Sequence, residues 1–278
     1  MSFAEVIGQP VGQSKSPIIH KYWLDRLNIA GDYRRTEVAV NELRGFLDRR
    51  RSDPDWRGCN VTIPHKQNVI ASLDRLDAGS TAIGAVNCIV RRGAALVGHN
   101  TDIDGVAAAL NSAELRGRKA ALIGAGGGAR AVVAYLAKRG AGRIAIVARN
   151  PGRAQALLAL APDTAIDILD FDRADAALGG AAAIINASPL GMKGAEPFQQ
   201  SLLDAVLRNA AGAILFDLVT TPAQTDFLAA GRAGGGLAVD GLTMLIGQAA
   251  RAFELFFRAP APHPNQYLRD LLMSEEPK

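Results

Sequence analysis

Cysteine is nearly absent from this chain, which holds only Cys59 and Cys88 in 278 residues. The two stand alone in apolar surroundings without C-x-x-C spacing, which excludes a disulfide framework and predicts two small buried hydrophobes of a cytosolic protein. Histidine is scarce as well, and His20, His65, His99 and His263 have no metal-ligand spacing, so no metal site is expected. No apolar run approaches the ~20 residues that a bilayer-spanning helix needs. The start M-S-F-A-E-V-I-G also lacks the charged head and long apolar stretch of a secretion signal. Charge of one sign is in small excess, 31 Lys and Arg against 27 Asp and Glu, and part of it sits in Arg49-Arg50-Arg51 on a solvated helix face. Without a basic patch interleaved with aromatics, nucleic acid is not an expected partner. A soluble, cytoplasmic protein is the expectation.

What the chain has in quantity is apolar residues and glycine. The apolar fraction of 49% suffices for two buried sheets, and 278 residues suit two domains better than one core. The densest glycine cluster lies in K-A-A-L-I-G-A-G-G-G-A-R, Lys119 to Arg130. Ala120 to Ile123 reads as a strand, Gly124-Ala125-Gly126-Gly127-Gly128-Ala129 as a tight turn, and Ala131 to Leu136 as the apolar face of a helix. That order presents free backbone N–H groups and a positive helix end to a pyrophosphate. Gly124 allows the turn, Gly126 allows close approach, and Ala129 fills the small-residue slot between helix and strand. The competing reading is a plain strand-turn-helix of an α/β domain; a second apolar run, Ile144 to Ala148, favours the dinucleotide.

A further absence selects the coenzyme. In NAD sites an acid about 20 residues past the glycines accepts from the ribose 2′-OH, but here that place reads Ala148-Arg149-Asn150-Pro151-Gly152-Arg153. Arg149 and Arg153 can bracket a 2′-phosphate by charge-assisted hydrogen bonds, so NADP(H) is the expected cofactor. The alternative is two solvated arginines at a helix start.

Elsewhere strands and helices alternate, which predicts mostly parallel sheets. Ala4 to Gly8 reads as a strand, followed by a helix with Ser16 as its cap, Pro17 in its first turn, and Ile18, Tyr22, Trp23 and Leu27 on one face. Tyr33 to Val40 reads as a strand, and Asn41 to Arg51 as an amphipathic helix with Leu43, Phe46 and Leu47 inward. In the strand ending N-V-T-I-P-H-K, Asn60 and Thr62 share one face. Lys66 then begins a helix from Gln67 to Leu73, where a cation opposes the helix dipole. Ile83 to Val90 and Ala94 to Val97 read as a hairpin, after which Asp102 is either a first-turn acid or a site residue. Further strands are expected at Ala165 to Leu169, Ala182 to Asn186, Ala213 to Asp217 and Leu237 to Val239. Leu242 to Phe257 reads as a long apolar helix, followed by a proline-containing tail. The loop Ala187 to Met192 lies at the strand edge where doubly wound sheets bind ligands.

Taken in order, these stretches resemble the shikimate dehydrogenases nearly end to end. The residues that carry the resemblance are S-K-S at Ser14 to Ser16, N-V-T-I-P-H-K at Asn60 to Lys66, G-A-V-N ending at Asn87, and N-T-D-x-x-G at Asn100 to Gly105. The glycine turn, N-A-S-P-L-G-M from Asn186, and G-L-T-M-L-I-G-Q from Gly241 to Gln248 complete them. The resemblance implies two α/β domains: a substrate-binding domain of residues 1–102 completed by 241–278, and a Rossmann-type NADP-binding domain of residues 103–240. It implies that Lys66 and Asp102 form the catalytic pair. Ser14 and Ser16 would hold the substrate carboxylate, with Asn60, Thr62, Asn87 and Gln248 around the ring hydroxyls and Thr220 also in the substrate set. The cofactor set it implies is Gly124, Ala125, Gly126, Gly127, Gly128, Ala129, Arg149, Asn150, Arg153, Ser188, Met192, Leu218 and Gly241. The expected activity is the NADP-dependent reduction of 3-dehydroshikimate to shikimate, by a monomer or homodimer.

Three positions depart from the family pattern. Thr220 stands where the family has tyrosine in D-x-V-Y-x-P, Ala148 stands for asparagine before the arginine, and Cys88 stands for threonine after Asn87. Thr220 is too short to deliver a phenolic hydroxyl, which keeps a quinate-directed paralogue as an alternative. A non-catalytic ring-acid sensor is the other rival.

Overall fold

Strand β1 (Ser2–Gly8) is buried along nearly its whole length because helices cover both faces of its sheet. Phe3 and Ile7 point into one core, with Phe46 and Leu47, while Ala4 and Val6 point into the other, with Tyr33 and Phe256. The computed structural model describes residues 1–274. It divides into two units, Met1–Asp104 with the chain from Gln248 onward, and Gly105–Gly247.

In the first unit β1 is followed by α1 (Ser16–Arg26), β2 (Gly31–Glu37), α2 (Leu43–Arg51), β3 (Trp56–Val61), α3 (His65–Asn68), β4 (Arg75–Leu76) and α4 (Ala78–Ile83). The hairpin strands β5 (Cys88–Arg92) and β6 (Ala95–His99) then lead into α5 (Asp102–Ala109). The sheet order is β2-β1-β3-β5-β6-β4. Strands β2, β1 and β3 run parallel, whereas β5 is antiparallel to both β3 and β6, so this sheet is mixed. Glu5, buried in the middle of β1, is neutralised by Arg50, whose Nε and Nη2 donate to its carboxylate at 2.7 and 3.1 Å.

The second unit contains β7 (Lys119–Ile123), α6 (Gly127–Lys138), β8 (Arg143–Val147), α7 (Pro151–Ala154), β9 (Ala165–Leu169), α8 (Ala174–Leu178), β10 (Ala183–Asn186), α9 (Gln200–Asn209), β11 (Ile214–Asp217), α10 (Asp226–Ala233) and β12 (Leu237–Val239). All strands are parallel in the order β12-β11-β10-β7-β8-β9, the doubly wound arrangement. The order reverses between β7 and β10, which places the glycine turn after β7 beside the loop after β10. Two last helices follow, α11 (Gly241–Phe257) and α12 (Gln266–Ser274), and α11 carries the chain back into the first unit. Among the described residues no helix is long and apolar enough to cross a membrane.

Several local expectations need correction. Ser16 is the first residue of α1, not its cap, and the capping position falls on Lys15 without a side-chain bond. The buried face of α1 is Ile19, His20, Trp23 and Leu24, while Leu27 is exposed. A shift of the buried face by one residue, about 100° around the helix, brings a histidine into the core, where its ring stacks on Tyr33 with centroids 4.0 Å apart. Ile83 to Asn87 is not strand: Asp77 accepts from Ser80 N at 2.7 Å and caps α4 instead. The helix that contains Lys66 is a four-residue α3 followed by a 3-10 turn over Val69–Ser72, too short for a dipole argument to weigh. The tail after Arg258 contains α12, whose Leu268 and Leu272 are fully buried.

Candidate active site

Strand register gathers the residues of the first unit. Asn60 near the end of β3 pairs with Cys88 at the start of β5, and Cys88 pairs with His99 at the end of β6. The segments beyond these three ends therefore emerge at one edge of the sheet: Thr62 to Lys66, Ala85 to Asn87, and Asn100 to Asp102. Residues far apart in sequence meet there because antiparallel pairing folds the chain back on itself.

The centre of this edge is an ion pair, with Lys66 Nζ donating to Asp102 Oδ2 at 2.6 Å. The other oxygen, Oδ1, accepts from Asn87 Nδ2 at 2.8 Å. Asn87 is itself fixed, its Oδ1 accepting from Thr101 N at 2.7 Å and its Nδ2 also donating to Thr101 Oγ1 at 3.1 Å. Asn100 completes the turn, accepting from Asp102 N at 3.1 Å while its Nδ2 donates to Ala85 O at 2.9 Å. The side chain of Asp102 is 10% exposed and that of Lys66 27%, so the ammonium is the more accessible partner. A carboxylate clamped at both oxygens beside a reachable ammonium is suited to deliver a proton from nitrogen.

The network extends inward. Asn60 Nδ2 donates to Asn87 O at 3.2 Å, and Tyr33 donates from its hydroxyl to Asn60 Oδ1 at 2.6 Å. The Tyr33 hydroxyl also shares a hydrogen bond with the Ser16 side chain, and burial pushes the phenol well above its usual range, so it stays a neutral donor. Ser16, Tyr33, Asn60, Asn87, Asp102 and Lys66 thus form one continuous chain. Gln248 joins it through Thr101, whose Oγ1 lies 3.4 Å from Gln248 Oε1. Half-buried Thr62 sits in the turn beside Lys66, and half-buried Ser14 accepts at its Oγ from Ser16 N at 3.4 Å. Sequence reasoning did not single out Tyr33, Asn100 or Thr101 as site residues. Only the polar N-T-D run hinted at the last two; a tyrosine in a strand reads as core.

In the second unit Gly124 directly follows β7 with φ of +96°, and a Cβ there would lie 2.8 Å from Ser188 N. The main chain after β10 therefore passes directly over the turn. Gly126 precedes α6 in an extended conformation, and Gly126 and Gly127 are exposed. A Cβ on Gly128 would lie 2.6 Å from Leu218 Cδ2, and one on Gly241 would lie 2.3 Å from Val219 O. Half-buried Ala125 and buried Ala129 complete the turn. Ser188 is engaged locally, its Oγ donating to Asn186 Oδ1 at 2.6 Å and accepting from Leu190 N at 3.2 Å. Met192 is exposed and Thr220 half-buried in the segments that follow β10 and β11.

Arg149 and Asn150 follow β8, and Arg153 lies in α7. Arg149 is exposed and makes a two-point ion pair with Glu196, an acid that the stretch from 148 to 153 does not itself contain. This turn fits a dinucleotide phosphate: its first glycine admits no side chain, its exposed glycines leave the helix start open, and two guanidiniums stand past the second strand. Among the described residues no group of three or more His, Cys, Asp or Glu is placed to hold a metal ion.

Buried Asp217 ends β11 beside this turn. It accepts from Thr225 Oγ1 at 2.6 Å, from Asn186 Nδ2 at 2.9 Å and from Val219 N at 2.9 Å. Burial pushes its carboxyl up to about 6 despite those three donors.

Comparison with known proteins agrees with this layout. Residues 6–89 match the family described as shikimate dehydrogenase substrate binding domain, and residues 106–218 the family described as shikimate / quinate 5-dehydrogenase. The chain is 46% identical to the shikimate dehydrogenase (NADP(+)) of Sphingopyxis alaskensis over 98% of its own length and 97% of that protein. Among solved structures it resembles shikimate 5-dehydrogenase from Listeria monocytogenes in complex with shikimate and NAD, with a TM-score of 0.88, 27% identity and coverage of 98% and 96% of the two chains. Quinate dehydrogenase from Corynebacterium glutamicum in complex with NAD is similar at a TM-score of 0.86 and 28% identity, covering 98% of this chain and 99% of that one.

Proposed function

We propose that this chain, which belongs to the shikimate dehydrogenase family, reduces 3-dehydroshikimate to shikimate with NADPH. The observation that carries the reading is the 2.6 Å contact between Lys66 Nζ and Asp102 Oδ2, with Asn87 holding the second carboxylate oxygen. The first unit is read as the substrate-binding domain and the second as the NADP-binding domain. The protein is further read as a cytoplasmic monomer or homodimer without a nucleic-acid partner.

Reducing a ring ketone adds a hydride to carbon and a proton to oxygen. Lys66 stabilises the negative charge that develops on that oxygen and gives up its proton there. Asp102 keeps the ammonium aimed, and the amide of Asn87 stops the carboxylate from rotating. Tyr33, locked between Ser16 and Asn60, holds the Asn60 amide at a fixed angle. Ser14 and Ser16 bind the ring carboxylate, and Asn60, Thr62, Asn87 and Gln248 bind the ring hydroxyls. NADPH supplies the hydride when bound. Backbone N–H groups of Gly124 to Ala129 would hold its pyrophosphate, and Arg149 and Arg153 would hold its 2′-phosphate, Arg149 leaving Glu196 to do so. Asn150, Ser188, Met192, Leu218 and Gly241 complete the coenzyme set.

A second reading is favoured by Thr220. With a short hydroxyl where the family has tyrosine, the substrate set loses a long contact, which suits a quinate-type ring acid. The test is turnover of purified protein on shikimate and quinate side by side, with NADP+ and NAD+. Faster turnover of shikimate with NADP+ is expected. Preference for quinate transfers the assignment to the second reading, and no turnover with any pair removes both in favour of a ring-acid sensor.

A further inference from the structure

The first unit carries a second concave feature at the end of its sheet opposite to Lys66. It is lined by Ser2, Ile29, Arg57, Arg91, Arg92, Phe256, Phe257 and Arg258, around a recess of about 170 Å³. Strand pairing explains why four arginines meet there. Arg57 directly precedes Gly58, which pairs with Val90, and Arg91 and Arg92 directly follow Val90 on the antiparallel neighbour. Arg258 arrives from a different element, one residue past the end of α11. Gly58 lets that helix end come down onto the sheet: its φ is +151°, and a Cβ there would lie 2.1 Å from Ile89 O and 2.8 Å from the Phe256 ring.

Two observations set this recess apart from an ordinary basic surface. Among the described residues, none of the four guanidiniums forms an ion pair with a carboxylate. Three acids of the same unit have other partners, Glu5 with Arg50, Asp32 with Arg34 and Asp55 with the N-terminus. Arg258 also adopts a left-handed backbone, with φ of +57°, at a helix end where glycine would sit with less strain. Arg91 is held by its Nε, which donates to Arg51 O at 3.0 Å; an arginine kept in that left-handed conformation beside Arg57 and Arg92 concentrates like charge at a conformational cost, and a bound anion would compensate both.

We propose that this recess binds a small phosphate monoester carrying a short apolar or aromatic group. Guanidinium forks match phosphate oxygens in pairs, which explains arginine in place of lysine at four positions. The Phe256 and Phe257 rings supply a face for the carbon portion. The volume lies below the roughly 300 Å³ at which pockets for drug-sized ligands begin, which limits the occupant to a phosphate with a few-carbon or single-ring substituent. This site is independent of the glycine turn of the second unit and of the Lys66 edge of the first.

The probe is phenyl phosphate, titrated calorimetrically into the full-length protein. Binding is expected for the wild type, weaker by roughly tenfold or more in Arg57→Gln/Arg92→Gln, and unchanged in Arg149→Gln, which alters only the second unit. Arg258→Gly separates a ligand role from a structural one: it should raise the melting temperature without phosphate and weaken phenyl phosphate binding. Binding untouched by Arg57→Gln/Arg92→Gln, binding lost only in Arg149→Gln, or retention on heparin without phenyl phosphate binding would each overturn the assignment.

Discussion

At Asp102 each carboxylate oxygen has its own donor, Lys66 on one side and Asn87 on the other. Asp102→Asn keeps the size but loses the charge, so Lys66 loses the ion-pair partner that aims its ammonium. The expected outcome is a fall in kcat of roughly 10²–10⁴ with a small change in KM, measured by steady-state kinetics; equal effects on both would mean that Asp102 binds and does not act. At Arg149 the expectation is selective, because the guanidinium has a 2′-phosphate to meet only in one coenzyme. Arg149→Ala should raise KM for NADPH and leave NADH nearly unchanged, and equal losses on the two would refute the phosphate assignment. Single residues of the site were readable where they lie in a polar run interrupting an apolar pattern, as Asn60, Lys66 and Asp102 do. Tyr33 was not, since a tyrosine in a strand is indistinguishable from core until its neighbours are known. Lys66 and Asp102 are 36 residues apart, and only the β3-β5-β6 pairing brings them together.

Among elements, the segments after β10 and β11 are tied by Asp217, which joins Asn186, Val219 and Thr225. Its folded value of about 6 lies above the ordinary 3.8, so the folded state holds this proton more tightly than the unfolded chain does. Its contribution to stability is therefore full below about pH 4 and is lost as pH rises through about 6, a change of roughly 3 kcal/mol at 1.36 kcal/mol per unit. Asp217→Asn has no such proton to lose. The stability of this variant relative to wild type, measured by urea unfolding, should improve by up to that amount between pH 4 and pH 7; a difference that does not change with pH would contradict the burial argument. The elements most readable in sequence were the central strands of the second sheet, Lys119–Ile123 and Ile214–Asp217, because burial on both faces demands apolar runs. Ile83 to Asn87 misled for the same reason, its apolar residues suggesting a strand. The Asp77 cap ahead of it was the signal for a helix.

For the whole molecule, the first unit is built from both ends of the chain. Lys15 Nζ donates to Leu272 O at 2.7 Å and Asn265 Nδ2 to Tyr22 Oη at 2.9 Å, so α12 is fastened to α1 across some 250 positions. Leu272 is fully buried, and Leu272→Ala should cost about 2–5 kcal/mol in urea unfolding. A loss under about 0.5 kcal/mol, typical of surface positions, would mean that α12 is not integral to the unit. Hydrophobic periodicity could show two α/β arrays but not that the last helices return to the first, because no local pattern records a contact of that span. The fold was legible as a class, through glycine and apolar runs; the closure of the first unit came only from the resemblance. The central claim is that the Lys66 ammonium provides the proton in an NADPH-dependent reduction. It is tested most directly by kcat for NADPH oxidation with 3-dehydroshikimate in Lys66→Ala against wild type, in protein shown to be folded. The account predicts a drop of roughly 10²–10⁴; a drop below about tenfold would contradict it, since a positioned acid contributes more than that.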